Sequence, residues 1–285
     1  MTLSEDLHFS RAAKRLRITQ PALSQQIARL ESDLGVRLFS RGPKHVALTD
    51  AGRVFFEDAT ETLRRMDMAV ERVRRAAAGQ IGRLTISFVE AAPVLPALVA
   101  EYSAAVPEVT IEFREMVTIE QIEAIAEGRV DIGILRPYSL GRNLEHFVVH
   151  REPYLVALPR RHRLQVLRQV RLRDLDGEKL ITRPPKKRRY IESRFRARLD
   201  KLGVSLPIAH EVDQIHTMLG LVGAGLGIAV LPTSMAILRM EGVVYRPFSP
   251  ADSLTAELAV AWRTGNRSRT LDRFLVIARR ISAAS

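Results

Sequence analysis

The sequence predicts a mainly α-helical winged helix-turn-helix, then one long linker helix, then an α/β domain of two lobes. Three observations predict it. Within the first fifty residues, two short helical patterns meet at a tight turn and are followed by strand, turn and strand. Residues 51–78 then form one uninterrupted helical pattern, with neither Gly nor Pro after Gly52. From Arg83 onward, strand-like and helix-like stretches alternate, as in an open parallel sheet.

Composition bounds the function. A chain of 285 residues suits about two domains. Its 46% apolar and 27% charged residues describe a folded protein with a sizeable core. The absence of cysteine excludes disulfides, thiolate metal sites and cysteine nucleophiles. No apolar run reaches the ~18 residues of a membrane helix, and Met1–Asp6 lacks a signal core, so no membrane partner is expected and the cytoplasm is the expected location. Lys and Arg outnumber Asp and Glu by 44 to 32. Much of this excess lies in residues 151–201, around Arg160-Arg161-His162-Arg163 and Lys186-Lys187-Arg188-Arg189. That stretch reads either as a solvated Arg-rich surface, as a pocket for an anionic small molecule, or as a basic interface.

The first helical pattern is Phe9–Leu16, with Phe9, Ala12, Ala13 and Leu16 on one face. The small Ala12 and Ala13 let another helix cross closely. Thr19 is a good N-cap, Pro21 stands where no N–H is needed, and Gly35 ends the second helix. Leu23, Ile27, Leu30 and Leu34 are expected to face inward. Gln20, Pro21, Ser24, Gln25, Ala28 and Arg29 form the outward face. A second helix with such a polar surface suits the DNA major groove, where Gln and Ser can hydrogen-bond base edges. Leu38–Leu48 then reads as a β-wing whose Arg41, Lys44 and His45 would meet phosphate or the minor groove. Each piece alone is also compatible with an ordinary hairpin; their order within forty residues is the specific signal.

In this order the motifs resemble a LysR-type transcriptional regulator. The resemblance runs through Phe9-Ser10-Arg11-Ala12-Ala13-Lys14-Arg15-Leu16-Arg17-Ile18-Thr19-Gln20-Pro21-Ala22-Leu23-Ser24-Gln25-Gln26-Ile27-Ala28-Arg29-Leu30-Glu31. It continues in Leu34-Gly35, Leu38-Phe39-Ser40-Arg41 and Leu48-Thr49-Asp50-Ala51-Gly52 and extends over nearly the whole chain. It implies a sequence-specific DNA-binding regulator, not an enzyme. Residues 1–50 would form the winged helix-turn-helix, 51–79 the dimerisation helix and 83–285 a periplasmic-binding-protein-like effector domain. Lobe I would take about 83–155 and 259–285, and lobe II about 156–258. The implied partners are promoter DNA, a small-molecule effector, further copies of the chain as a dimer or homotetramer, and RNA polymerase. No cofactor is implied. Relatives carry roughly ten more residues ahead of the segment resembling Ser4–Phe9, so the first helix of the head is expected to be truncated.

The linker repeats apolar residues at Phe55, Ala59, Leu63, Met66, Val70, Val73 and Ala77, close to a heptad seam. At 1.5 Å per residue, 28 residues span about 42 Å. Such a stripe suits pairing with a second helix, although packing on its own effector domain is the alternative. Pairing would set two recognition helices a fixed distance apart.

The C-terminal domain reads as strand 83–88, helix 93–106, strand 109–115, helix 118–127 and strand 130–135. A second unit follows, with strand 180–182, helix 190–202, strand 208–212, helix 214–224 and strand 228–231. The chain then returns through 254–262 to helix 270–283. Two crossings leave a cleft between lobes, where ligands meet strand ends and helix N-termini. Thr118 can cap its helix and Gln121 can close a capping box; the same Thr, by resemblance, lines the effector pocket. Glu90, Ala91 and Ala92 form the opposite loop. The resemblance is to the branch that senses aromatic-degradation products, which places pocket residues at Arg183-Pro184-Pro185 and Tyr190 and implies an aromatic-pathway acid as effector. A hydroxyl common in that branch is missing at Ala91, and Glu90 adds an anion; both argue against a simple dicarboxylate. Arg136 follows a strand and could pair an anion, but reads first as a surface residue. Gly223-Ala224-Gly225-Leu226-Gly227 follows a helix and precedes a strand, the reverse of a dinucleotide fingerprint. His146 and His150 lie four apart in a stretch read as strand or loop, so no metal site is expected. Two alternatives remain: a ligand-binding protein or enzyme of the same fold, and a regulator without an effector. DNA binding by a protein starting at Met1 is expected to be weak; an upstream-extended version that bound no more tightly in a gel-shift titration would refute this.

Overall fold

The computed structural model describes residues 1–41 and 46–284. Lys44 and His45, and the side chain of Arg41, lie outside the described residues. The chain divides into two compact units, Met1–Arg75 and Ala76–Ser285.

In the first unit, α1 (Thr2–Asp6), α2 (Phe9–Leu16) and α3 (Gln20–Leu34) precede a short hairpin, β1 (Phe39–Arg41) with β2 (Val46–Leu48), and α4 (Asp50–Ala77). Thr19 caps α3, its Oγ1 accepting from the Ala22 N–H at 3.3 Å, and Gly35 ends it at φ 69°. Leu3, Ala12, Ala13, Leu23, Leu38 and Phe39 form the core. Glu31 on α3 accepts from Leu38 N (2.8 Å) and Phe39 N (3.0 Å), which pins the start of the hairpin to that helix. Leu16 and Leu34, expected inward, are instead 44% and 42% exposed. Each is the last residue of its helix, where the chain turns away at Arg17 and Gly35 before the side chain reaches the core.

α4 begins against this core. Gly52 is buried there, and a Cβ on it would lie 2.0 Å from the Leu38 carbonyl oxygen. Farther along, the seam emerges from cover: Leu63, Met66, Val70 and Val73 are 48%, 63%, 42% and 69% exposed.

The second unit begins with β3 (Ile81–Phe88), α5 (Leu95–Ala105), β4 (Glu108–Glu115), α6 (Thr118–Ala126) and β5 (Ile132–Leu135). β3 lies between β4 and β5, parallel to both. β6 (Leu144–Pro159) follows, then β7 (Leu180–Thr182), α7 (Pro185–Leu202), β8 (Ile208–Glu211), α8 (Ile215–Gly223), β9 (Ala229–Pro232), β10 (Val243–Pro247), β11 (Thr255–Arg263) and α9 (Arg269–Ala284). The main sheet runs β10-β6-β11-β5-β3-β4, with β9 also on β6.

β6 serves both lobes. Its first ten residues pair antiparallel with β11, and Leu155–Pro159 pair with β10 and β9. Val149 and Leu258 pack in the core of lobe I with Leu84, Ile86, Leu98 and Phe274. Tyr154 and Ala256 pack in that of lobe II with Leu172, Leu175 and Phe195. The lobes therefore join at two adjacent strands, near residues 150–153 and 257. The stretch around His146 and His150, read as strand or loop, belongs to β6, whose full length was not expected from sequence; β10 was not expected at all. The polar residues Glu145, His146, His150 and Arg151 disguise the first half of β6. α7 starts five residues earlier than expected because Pro185, with its fixed φ, suits a first helical position.

Replacing Gly52 with Ala drives a methyl group into the Leu38 carbonyl. This should destabilise the head by about 1–3 kcal/mol, read as a lower thermal midpoint by circular dichroism, while Ala51→Gly should cost less because Ala51 is exposed.

Candidate functional site

Two regions gather the expected residues. On the head, Thr19 is committed to its cap, and Gln20, Pro21, Gln25 and Arg29 are exposed along α3 with Ser24 half-buried among them. Gln20 is oriented from the preceding helix: Ser10 Oγ donates to Gln20 Oε1 at 2.6 Å, so its NH2 group is left to point outward. Arg29 Nε lies 4.0 Å from the Asp33 carboxylate, an exposed i,i+4 pair along α3.

In the second unit, a cavity of about 320 Å³ opens between the lobes. Lobe I supplies Glu90, Ala91, Thr118 and Arg136; lobe II supplies Arg183 and Tyr190. Ala92 instead turns into the lobe I core, and Pro184 is spent as the cap residue of α7; neither lines the cavity. Part of the basic run does line it, at Lys186, Lys187 and Arg188. Lys187 pairs with Asp213 at 3.2 Å, and Arg188 with Glu192 and Glu211.

Arg136 is not the surface residue the sequence suggested. It lines the cavity, where one guanidinium NH2 donates to Ala91 O (3.2 Å) and the other to Glu257 O (3.1 Å), and burial pushes its pKa below the usual value. Thr118 does not cap α6: Val117 holds the cap position without a side-chain bond, and Thr118 Oγ1 accepts from Arg136 N at 3.2 Å. Gln121 closes no capping box either. Its amide is fully buried, accepting from Ser87 Oγ (3.0 Å) and donating to Met116 O (2.9 Å), because close packing beside Gly133 draws it under the sheet.

Tyr190 forms the aromatic wall. Arg194 sits 4.8 Å from its ring centre and Arg136 6.0 Å, with the Tyr138 ring 6.3 Å away. Its hydroxyl accepts from Glu257 N at 3.1 Å. Burial raises the Tyr190 pKa and pushes that of Tyr154, at the cavity floor, up to about 12. Glu257 ties these groups together. Its carboxylate accepts from Arg151 (3.1 Å) and Arg194 (3.1 Å). Burial pushes the carboxyl up, but those two arginines outweigh it and hold the pKa below the usual range. Tyr138, Tyr154 and Glu257 were missed from sequence. Tyr138 carried a signal, since it shares the post-strand loop with Arg136; Glu257 carried none, being 121 residues from Arg136.

Across the cleft, Glu90 reaches lobe II. Its Oε1 accepts from Ile215 N, the first amide of α8, at 3.2 Å, and its Oε2 lies 2.5 Å from an Arg183 nitrogen.

A helix-turn-helix head joined by a long helix to a two-lobed α/β domain defines a class of ligand-responsive DNA-binding proteins. Family models agree: "Bacterial regulatory helix-turn-helix protein, lysR family" matches residues 1–53, and "LysR substrate binding domain" matches 77–281. The chain belongs to the LysR family of transcriptional regulators. It is 34% identical to the regulator AlsR of Bacillus subtilis, over 98% of this chain and 92% of that protein. The crystal structure of full-length CbnR bound to its target DNA is similar at a TM-score of 0.84 and 25% identity, covering 99% and 96% of the two chains. The BenM effector-binding domain with its effector benzoate matches at 0.64 and 27% identity, covering 71% of this chain and 93% of that one.

Because the folded Glu257 pKa is depressed, the carboxylate stabilises the protein above the ordinary carboxylate range, and the benefit disappears as pH falls through the lowered value. Glu257→Gln should therefore cost about 1–3 kcal/mol near neutrality. Thermal melts should show the gap to the unsubstituted protein closing on acidification below about pH 4.

Proposed function

We propose that this regulator binds promoter DNA through the exposed face of α3, as two or four copies held together along α4, and that a small molecule in the interlobe cavity shifts its binding. The observation that carries the reading is the convergence of the cavity wall on the strand joining the lobes: Arg136 from lobe I and Tyr190 from lobe II both bond the backbone of Glu257. A ligand that moves either side chain acts on the point where the lobes hinge. It can bias the protein only as far as it binds one lobe arrangement better than the other.

An aromatic acid is the effector class that the wall favours. Tyr190 and Tyr138 offer faces for a ring, and Arg136 and Lys186 offer positive charge; the benzoate-bound BenM domain supports the same choice. Gln20, Pro21, Ser24 and Gln25 would read bases, with Thr19 setting the helix start. Arg29, Arg41, Lys44 and His45 would serve backbone or wing. Pairing along α4 rests on its uncovered apolar seam. The site of action is the cytoplasm, and RNA polymerase is the expected downstream partner.

Footprinting and gel shifts on the DNA upstream of the chain's own gene test this reading. Gln20→Ala or Ser24→Ala should lose about 1–3 kcal/mol of discrimination between operator and scrambled DNA. Lys44→Ala should instead weaken both DNAs alike and lower the salt slope by roughly one. A footprint unchanged by every aromatic acid offered would refute effector control.

A further inference from the structure

We propose that Glu90 is a built-in occupant of an anion position in the cleft, and that it determines specificity by barring effectors that place a carboxylate there. The inference rests on the reading of the cavity as an effector site and names which ligands that site rejects.

Three groups on lobe II define the position. Ile215 N is the first amide of α8, a helix whose cap residue Gln214 provides no side-chain bond. The Arg183 guanidinium supplies a cation, and its Nη2, the nitrogen that meets Glu90, also donates to the Asp213 carbonyl at 3.4 Å. Its Nε and the Glu90 Oε2 are both buried without a hydrogen-bond partner among the described residues, so the two charges meet as an ion pair with hydrogen-bonding capacity left on each side. A helix N-terminus beside an arginine favours a carboxylate. The carboxylate that fills it comes from lobe I: Glu90 leaves the loop after β3 and crosses the cleft to meet both.

Two consequences follow. Glu90 neutralises Arg183, so the cations lining the cavity that make no ion pair among the described residues are Lys186 and Arg136, the latter beside Tyr190 of α7. And a second carboxylate brought toward α8 would meet Glu90 as a like charge in a half-buried setting. The cleft therefore selects a ligand with its charge at the α7 side and an uncharged end toward α8. The same contact ties the two lobes together.

Chemical rescue tests the position without knowledge of the natural effector. In full-length Glu90→Ala, thermal stability should rise as acetate replaces chloride at constant ionic strength, while the unsubstituted protein should not respond. In Glu90→Ala with Arg183→Ala, the acetate response should vanish. Should the Ala variant lack a native baseline, Glu90→Ser retains a hydroxyl near Ile215 N and takes its place. A matched pair then tests specificity: terephthalate and benzoate share a ring and differ by one carboxylate. Calorimetry should show terephthalate gaining about tenfold or more in affinity in the variant, with benzoate little changed. The proposal is overturned if acetate stabilises variant and parent equally, or if both respond alike to terephthalate. Rescue with no ligand effect on any DNA footprint would instead sink effector control and leave the anion position standing; failed rescue leaves effector control untouched.

Discussion

The effector domain depends on the double-strand crossover between its lobes, and Glu257 is the residue that makes this crossover more than a tether. Its backbone is bonded by Arg136 and Tyr190, and its carboxylate by Arg151 and Arg194. A partly buried carboxylate is tolerable only when several donors meet it. Here those donors come from the crossover strand β6 and from α7, while Arg136 of lobe I holds the backbone of the same residue. The electrostatic need of one side chain thus ties the cavity wall to the joint between the lobes. The cavity, the wall and the hinge are one connected network.

The head is built on a different constraint, close backbone approach. Gly52 lets α4 touch the Leu38 carbonyl, and Glu31 holds the next two amides from the other side. The hairpin is thereby fixed against both α3 and α4. Ser10 to Gln20 adds a second, polar link between α2 and α3. The exposed face of α3 thus stands on a base fixed by contacts that are mostly backbone, which suits a surface that must present side chains at set positions.

Local chemistry was readable from the sequence, and distant pairing was not. Thr19, Pro21 and Gly35 marked α3 because capping and termination act within a turn of the chain. The alternation of β3 to β5 with their helices was readable for the same reason. Leu16 and Leu34 fooled the periodicity because a helical repeat does not say where the helix stops being covered. Gln121 fitted a capping spacing, yet the buried amide found better partners in Ser87 and Met116. Glu90 was noticed as an anion, but its partners lie 93 and 125 residues away and no local pattern announces them. Arginines are mostly exposed, and only the fold brings Ala91 and Glu257 within reach of Arg136.

The apolar stripe along α4 carries a consequence for how much of this protein a cell must make. Solvating Met66 and Val73 is unfavourable for a lone subunit, and in the proposed pairing along α4, burying them against a second copy would lower the free energy by an amount that grows with the number of copies present. Abundance then enters the equilibrium as a variable on the same footing as any small molecule. A subunit synthesised at low copy number meets a different landscape from one made in excess, before any metabolite has been sensed.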